Sequence, residues 1–164
     1  RIDNQSPMPI ETIHVGVISD THGLLRPQAM QAMHGSDLII HGGDVGEPEI
    51  LHMLGSIAPV HTVRGNVDYE PWTQRLPSTK VVDAGDVLIY VLHNLDNLNI
   101  DPVVSGFRMV VYGHSHRPSI EEKRSVIFLN PGSAGPRRFA LPVSVARVKV
   151  TGNEIEAEIM ELDV

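Results

Sequence analysis

Leu38-Ile39-Ile40 reads as a short buried strand that runs into His41 and is stopped by Gly42-Gly43-Asp44. A carboxylate at the carboxyl end of an inner strand stands where open α/β sheets hold their ligands. The two glycines let the backbone turn and come close to whatever the carboxylate binds. Taken alone, Asp44 reads better as a turn residue, or as the cap of a helix starting near Glu47. Five other stretches end in the same way, and all can share one sheet rim. That recurrence constrains the chain more than any single motif does.

The first half alternates strand and helix. Ile13–Ile18 is the first strand and Arg26–His34 a helix with Pro27 in its first turn. Asp37–Ile40 is the second strand, and Glu47–Ile57 a helix opened by Pro48 and acidic residues. Ala58–Val63 is the third strand. This rhythm implies parallel strands joined by right-handed crossovers. From Lys80 the rhythm changes. Lys80–Asp83 and Val87–Leu92 flank the hairpin signal Ala84-Gly85-Asp86. Asn94–Gly106 is a polar loop with room for a short helix. Met109–Tyr112, Ser119–Arg124 and Val126–Leu129 are strands, and Val143–Thr151 and Glu154–Met160 flank the two-residue turn Gly152-Asn153. The expected picture is a parallel α/β half followed by an antiparallel, β-rich half. Residues 1–9 are expected to be a disordered lead-in and residues 10–164 a single domain of sufficient length for a sizeable core.

The strand ends supply the chemistry: Asp20 and His22, Asp44, Asn66, His93, then His114 and His116. In extended backbone, residues two apart point the same way, so Asp20 with His22, and His114 with His116, are each expected to reach one centre. Imidazoles, carboxylates and an amide oxygen together suit Mn, Fe, Zn or Co. Seven donors exceed one tetrahedral zinc site and make a single structural metal a poor fit. They suit two cations sharing a carboxylate, with Asp44 as the natural bridge. Each motif has a bland reading as a turn or a structural histidine; their coincidence at strand ends outweighs it. Of nine histidines, His14, His34, His52 and His61 lie within strands and helices and read as bystanders. His41 stands three residues before Asp44 as a candidate for orienting it.

Asp20-Thr21-His22, Gly43-Asp44, Gly65-Asn66-Val67-Asp68, His93 and Gly113-His114-Ser115-His116 resemble, in order, the blocks of the calcineurin-like metallophosphoesterases. The short length, Asn130-Pro131-Gly132-Ser133 and the following Pro136-Arg137 are similar to the small bacterial and archaeal phosphodiesterase branch, to which the retromer phosphoesterase-like subunit is related in fold. The resemblance implies two mixed β-sheets packed as a sandwich flanked by helices in α-β-β-α layers. It implies one cation on Asp20, His22, Asp44 and His116 and a second on Asp44, Asn66, His93 and His114. Manganese is expected first, with Ni, Fe, Zn or Co as alternatives. Asp44, His114 and His41 are the candidate catalytic residues. Val67 departs from the larger phosphatases of the superfamily, which carry a histidine there that helps the leaving group, and Asn94 stands where glycine is common.

The expected reaction is hydrolysis of a phosphate ester, a diester ahead of a monoester, by a hydroxide bridging two metals. The alternative is a non-catalytic protein-binding scaffold on the same fold. A net charge of -7 argues against a nucleic-acid surface and would repel a small phosphate substrate unless cations reverse the local field. Arg64, Arg137 and Arg138 are candidates for extra phosphate contacts. The absence of cysteine removes thiolate sites and fits a reducing, cytoplasmic setting. No apolar run spans a bilayer, and a homo-oligomer is left open.

Overall fold

A computed structural model describes residues 10–164, so the lead-in expected at 1–9 lies outside the described residues. Strand β1 (Thr12–Ile18) is buried from Val15 onward. It pairs in parallel with β2 (Leu38–His41), which pairs in parallel with β3 (Val60–Thr62). Between them run α1 (Pro27–Met33) and α2 (Pro48–Gly55), each with proline in its first turn, where the missing N–H leaves no helical bond unmade. The βαβαβ unit read from the sequence is present.

The second half does not form an antiparallel unit of its own. Its hairpin β9 (Ser144–Thr151) and β10 (Glu154–Glu161) returns to the first sheet, giving the order β10-β9-β1-β2-β3. The reason lies in β9, whose Val145 packs on the helix side while Ala146, Val148 and Val150 pack between the sheets. That inner run is apolar, and the outer face is buried at Val145, although Arg147 and Lys149 on that outer face are exposed, so burial favours a place inside the sheet. β10, with glutamates alternating against Ile155, Ala157 and Ile159, takes the edge. The second sheet has the order β4-β5-β6-β8-β7. The hairpin β4 (Thr79–Ala84) and β5 (Val87–Leu92) is antiparallel, but β5 pairs in parallel with β6 (Met109–Val111), and β6 with β8 (Val126–Asn130). The long 93–108 connection makes the first of these parallel pairs feasible. β7 (Ser119–Lys123) completes the sheet against β8.

The two sheets close over Val15, Val17, Ile40, Ile89, Val91, Met109, Val111, Leu129 and Val148. The helices cover the other face of the first sheet through Met33, Ile39, Leu54 and Val145. The outer face of the second sheet, with Tyr90, Leu92 and Val110, is covered by the 94–107 segment and its one-turn 3-10 helix Leu95–Asn97, the thinnest of the four layers. No helix among the described residues is long and apolar enough to cross a membrane. Because β1, β2 and β3 run in parallel, and β5, β6 and β8 do too, the carboxyl ends of each trio lie on one edge of its sheet. The two edges meet at one rim.

Candidate metal centre

Loops leave that rim in left-handed backbone. Asp20, His22, Asp44, His114 and His116 have φ of 54°, 44°, 56°, 72° and 62°. The extended spacing expected for Asp-x-His and His-x-His is therefore wrong. Side chains converge because the backbone coils at each ligand, at a cost of about 1 kcal/mol or more per residue. The coil also separates His114 from His116. The His116 ring lies 5.2 Å from that of His22, while the His114 ring lies 5.3 Å from that of His93.

Main-chain hydrogen bonds hold the coils. The N–H groups of Asp20, His22 and Gly23 donate to the carbonyls of Gly43, Asp44 and Val45 at 3.0, 2.9 and 2.9 Å, which extends the β1–β2 pairing past the strand ends. Close approach requires glycine at Gly65 and Gly113, where a Cβ would collide with the carboxylates of Asp44 and Asp20 respectively.

Asp20, Asp44 and His93 each have one atom pinned and one free. Asp20 Oδ2 accepts from Ser19 Oγ at 2.6 Å and the His114 N–H at 3.1 Å. Asp44 Oδ1 accepts the Val67 N–H at 2.9 Å. His93 Nδ1 donates to the Gly42 carbonyl at 2.7 Å. The other atoms face each other. Asp20 Oδ1 lies 3.4 Å from His116 Nε2, 3.7 Å from His22 Nε2 and 3.9 Å from His93 Nε2. Asp44 Oδ2 lies 3.1 Å from His93 Nε2 and 3.8 Å from His22 Nε2. Both carboxylates thus touch both groups of imidazoles, so a bridging position is open to Asp20 as well as Asp44. Asn66 and His114 stand at the exposed edge, with Asn66 Oδ1 and His114 Nδ1 3.0 Å apart.

Charge follows this geometry. Burial alone would raise Asp20, but His116, His22, His93 and the Ser19 hydroxyl hold it well below the usual carboxylate range. Burial would likewise raise Asp44; the His93 imidazole and the Val67 N–H outweigh it and lower the group. Burial alone would lower His93, but Asp44, Asp20 and the Gly42 carbonyl raise it.

The residues fit divalent cations by two observations. Asp20 Oδ1 and His93 Nε2 are buried with no hydrogen-bond partner, although both sit within 4 Å of opposite donors. Buried polar atoms are almost always satisfied, so an orphaned pair aimed at one point needs an explanation. The mixture of imidazole, carboxylate and amide oxygen matches borderline cations of the manganese-to-zinc series. Two compact donor groups result, Asp20-His22-His116 and Asp20-Asp44-His93.

His41 does not occupy the catalytic place expected for it. It is fully buried, its Nδ1 accepts the Gly43 N–H at 3.1 Å, and its Nε2 meets Thr21 Oγ1 at 3.0 Å. Thr21 in turn donates to the Val45 carbonyl at 2.8 Å, so the ring proton sits on Nε2. Burial depresses its pKa to about 4. With both nitrogens engaged, His41 fastens the Asp20 loop to the Asp44 loop and has no proton to offer a substrate. Arg64 leans on Gln74 Oε1 at 3.4 Å, and Arg137 and Arg138 are exposed. His14 and His52 are exposed and His61 is half-buried.

Sequence reasoning missed the fasteners. Asn130 Nδ2 donates to the Gly113 carbonyl and to Ser115 Oγ, both at 3.0 Å, and Ser133 Oγ donates to the Asp20 carbonyl at 2.9 Å. Asp68 accepts three backbone N–H groups. These residues lie in the motif blocks Gly65–Asp68 and Asn130–Ser133, but nothing in the sequence marks which loops they fasten, since most of their partners stand far along the chain.

Comparison with known proteins identifies the family and the fold. A model of the "Calcineurin-like phosphoesterase superfamily domain" matches residues 13–153. The chain is 34% identical to a protein of Methanocaldococcus jannaschii described as a probable metallophosphoesterase, over 93% of this chain and 83% of that one. It superimposes on a structure described as a novel archaeal phosphodiesterase with a TM-score of 0.74 and 20% identity, over 90% of this chain and 100% of that one. It also superimposes on Vps29 of Entamoeba histolytica complexed with zinc, with a TM-score of 0.66 and 23% identity, over 92% of this chain and 100% of that one.

Proposed function

We propose that this chain, which belongs to the calcineurin-like phosphoesterase superfamily, hydrolyses phosphodiesters at a centre for two divalent cations. One cation falls to Asp20, His22, Asp44 and His116, the other to Asp44, Asn66, His93 and His114. The observation that carries the reading is the pattern of pinned and free atoms, with Asp20 Oδ1 and His93 Nε2 buried and unpartnered between the two groups. Bound cations supply Lewis-acid charge to the phosphoryl group and lower the pKa of the attacking water. The chain's own part is to present the donors with little reorganisation, because each left-handed turn is already formed. Asp20 and Asp44, both kept ionised, supply the negative charge that draws cations in. Manganese is the expected metal.

Substrate class rests on the position after Asn66. Val67 is 44% exposed there and carries no proton to give. His41 cannot replace it. A general acid supplies about a hundred- to ten-thousand-fold in rate, so a site without one favours leaving groups that depart as stable anions. Aryl phosphodiesters are the best substrates on this reading, and the fold shared with an archaeal phosphodiesterase supports a diester. A protein-binding scaffold has no need of an intact donor set, and here every donor is present, with Asp20, Asp44 and His93 held by hydrogen bonds to the main chain.

The test is elemental analysis joined to a leaving-group series. About two ions per chain after manganese loading are expected, with diester cleavage falling steeply as leaving-group pKa rises. Val67→His should flatten that slope. At most one ion per loaded chain, or no hydrolysis of any ester by a chain with two, would sink the proposal.

A further inference from the structure

Asp68 is 5% exposed and has no cationic side chain within ion-pair reach among the described residues. Its carboxylate instead gathers three backbone N–H groups. Oδ2 accepts from Gly65 at 2.8 Å and from Asp44 at 3.0 Å, and Oδ1 accepts from Val45 at 3.1 Å. These donors belong to two loops, one after β2 and one after β3. Asp68 is no helix cap, because none of the three donors lies in the 3-10 turn Pro71–Arg75 that follows it. Its own place is fixed from that side, where Thr73 Oγ1 donates to the Asp68 carbonyl at 2.9 Å.

Two consequences reach the site. The fastening holds Gly65 against the Asp44 carboxylate, where no side chain fits. With Gly65 there, the Val67 N–H reaches Asp44 Oδ1 at 2.9 Å and turns Oδ2 toward His93. Asn66, between them in sequence, is set 3.0 Å from His114. Asp44 and Asn66 are two donors of the second cation. The trio Asp20, His22 and His116 makes no hydrogen bond to Asp68. We infer that Asp68 is a positioning residue for the second cation, locking the Asp44 and Asn66 loops at the separation that cation needs. A carboxylate suits the task because it accepts at both oxygens and donates at neither.

The inference rests on the two-cation reading, and stepwise manganese binding by calorimetry separates them. Supporting hydrogen-bond partners of metal ligands typically contribute about 10–100-fold in affinity. Asp68→Ala should weaken the second ion by that factor and the first, which shares only Asp44 with it, by clearly less. Asp68→Asn should weaken it less, since its amide oxygen can still accept from Asp44 and Gly65 while its NH2 faces the Val45 N–H. Leu54→Ala, in the helix-side core, should lower the melting temperature and leave both affinities alone. Asp68→Ala binding both ions as the unmodified chain does, or weakening both equally, overturns the inference. Should Asp68→Ala not fold, Asp68→Asn decides, and unchanged second-ion affinity in it overturns the inference. An unmodified chain that binds only one ion overturns the two-cation reading itself.

Discussion

The two halves of the site are built to different depths. Asp20 is fully buried and His116 is 3% exposed, on loops zipped together by main-chain bonds and closed from behind by Asn130 and Ser133. Asn66 and His114 are exposed, and Asn66 hangs on the loop after a three-residue strand. The deep half is set by the sandwich; the open half is set by Asp68 and by the Val67 N–H. A hydrolase needs both. Its cations must be held in place before substrate arrives, and substrate must reach them from some side. The open half, with Asn66 and His114 exposed, offers that side most fully.

The largest effect should come from breaking the deep half. Asp20→Ala leaves three imidazoles without the carboxylate they share. Activity is expected to fall roughly a thousandfold, the several kcal/mol of charge stabilisation a cation supplies. In the unmodified chain, manganese at about a hundred times its dissociation constant should add about 2.7 kcal/mol. For a chain of this size that is a rise in melting temperature of roughly 5–10 °C. Asp20→Ala should abolish the rise, whereas His114→Ala in the open half should keep part of it. Equal losses in the two variants would erase the distinction.

Acid should also attack the deep half first. His41, buried between its two loops, has its pKa lowered by burial from 6.5 to about 4. Folding therefore favours the neutral ring. The contribution is complete above pH 6.5 and is lost as pH falls from 6.5 toward 4, because only the unfolded chain takes up the proton there. The loss is about 3 kcal/mol. Asp20, lowered from 3.8, and His93, raised from 6.5, act outside that window, whereas His61, lowered from 6.5 by burial and by Lys80, adds to the slope within it. Denaturant midpoints of chelated protein between pH 7 and 4 measure it, and His41→Gln should flatten the dependence. A slope undiminished by His41→Gln would place the titrating group elsewhere, with His61 the first alternative.

Asn130 is the fastener common to both halves, since it holds the loop that carries His114 and His116. Asn130→Ala is expected to weaken both manganese ions, each about 10–100-fold, where Asp68→Ala weakens chiefly the second. Chelator competition distinguishes the two patterns.

Most of the rim was legible and most of its fastening was not. Strand ends, glycines and donors are local signals, so Asp20, His22, Asp44, Asn66, His93, His114 and His116 can be read from the sequence as candidates and do converge on one rim. The extended-backbone reading of Asp20 and His22 failed because Asp and His tolerate left-handed φ more often than other residues without requiring it; here it is imposed by bonds to loops 20 or more residues away. The placement of β9 beside β1 was hidden for the same reason, since strand order is a property of packing across the whole chain. His41 resembled a reactive residue because its burial and its two partners cannot be seen in sequence.

The smallest effect should come from Ser133, which touches the deep half without touching its carboxylate. Ser133 Oγ donates to the Asp20 main-chain carbonyl at 2.9 Å. The Asp20 carboxylate is held separately by Ser19 Oγ and the His114 N–H. Ser133→Ala should then cost about 1–2 kcal/mol of stability, since it strands both the Asp20 carbonyl and the Gly135 N–H that donates to Ser133 Oγ at 3.3 Å. The melting temperature should drop by about 2–8 °C, equally in chelated and manganese-loaded protein. An equal drop means that the carboxylate stays in place when the backbone behind it loosens. A drop confined to the loaded protein would mean that the Asp20 main chain, and not its side-chain contacts, sets the deep cation, and the division between the two halves would have to be redrawn around Ser133.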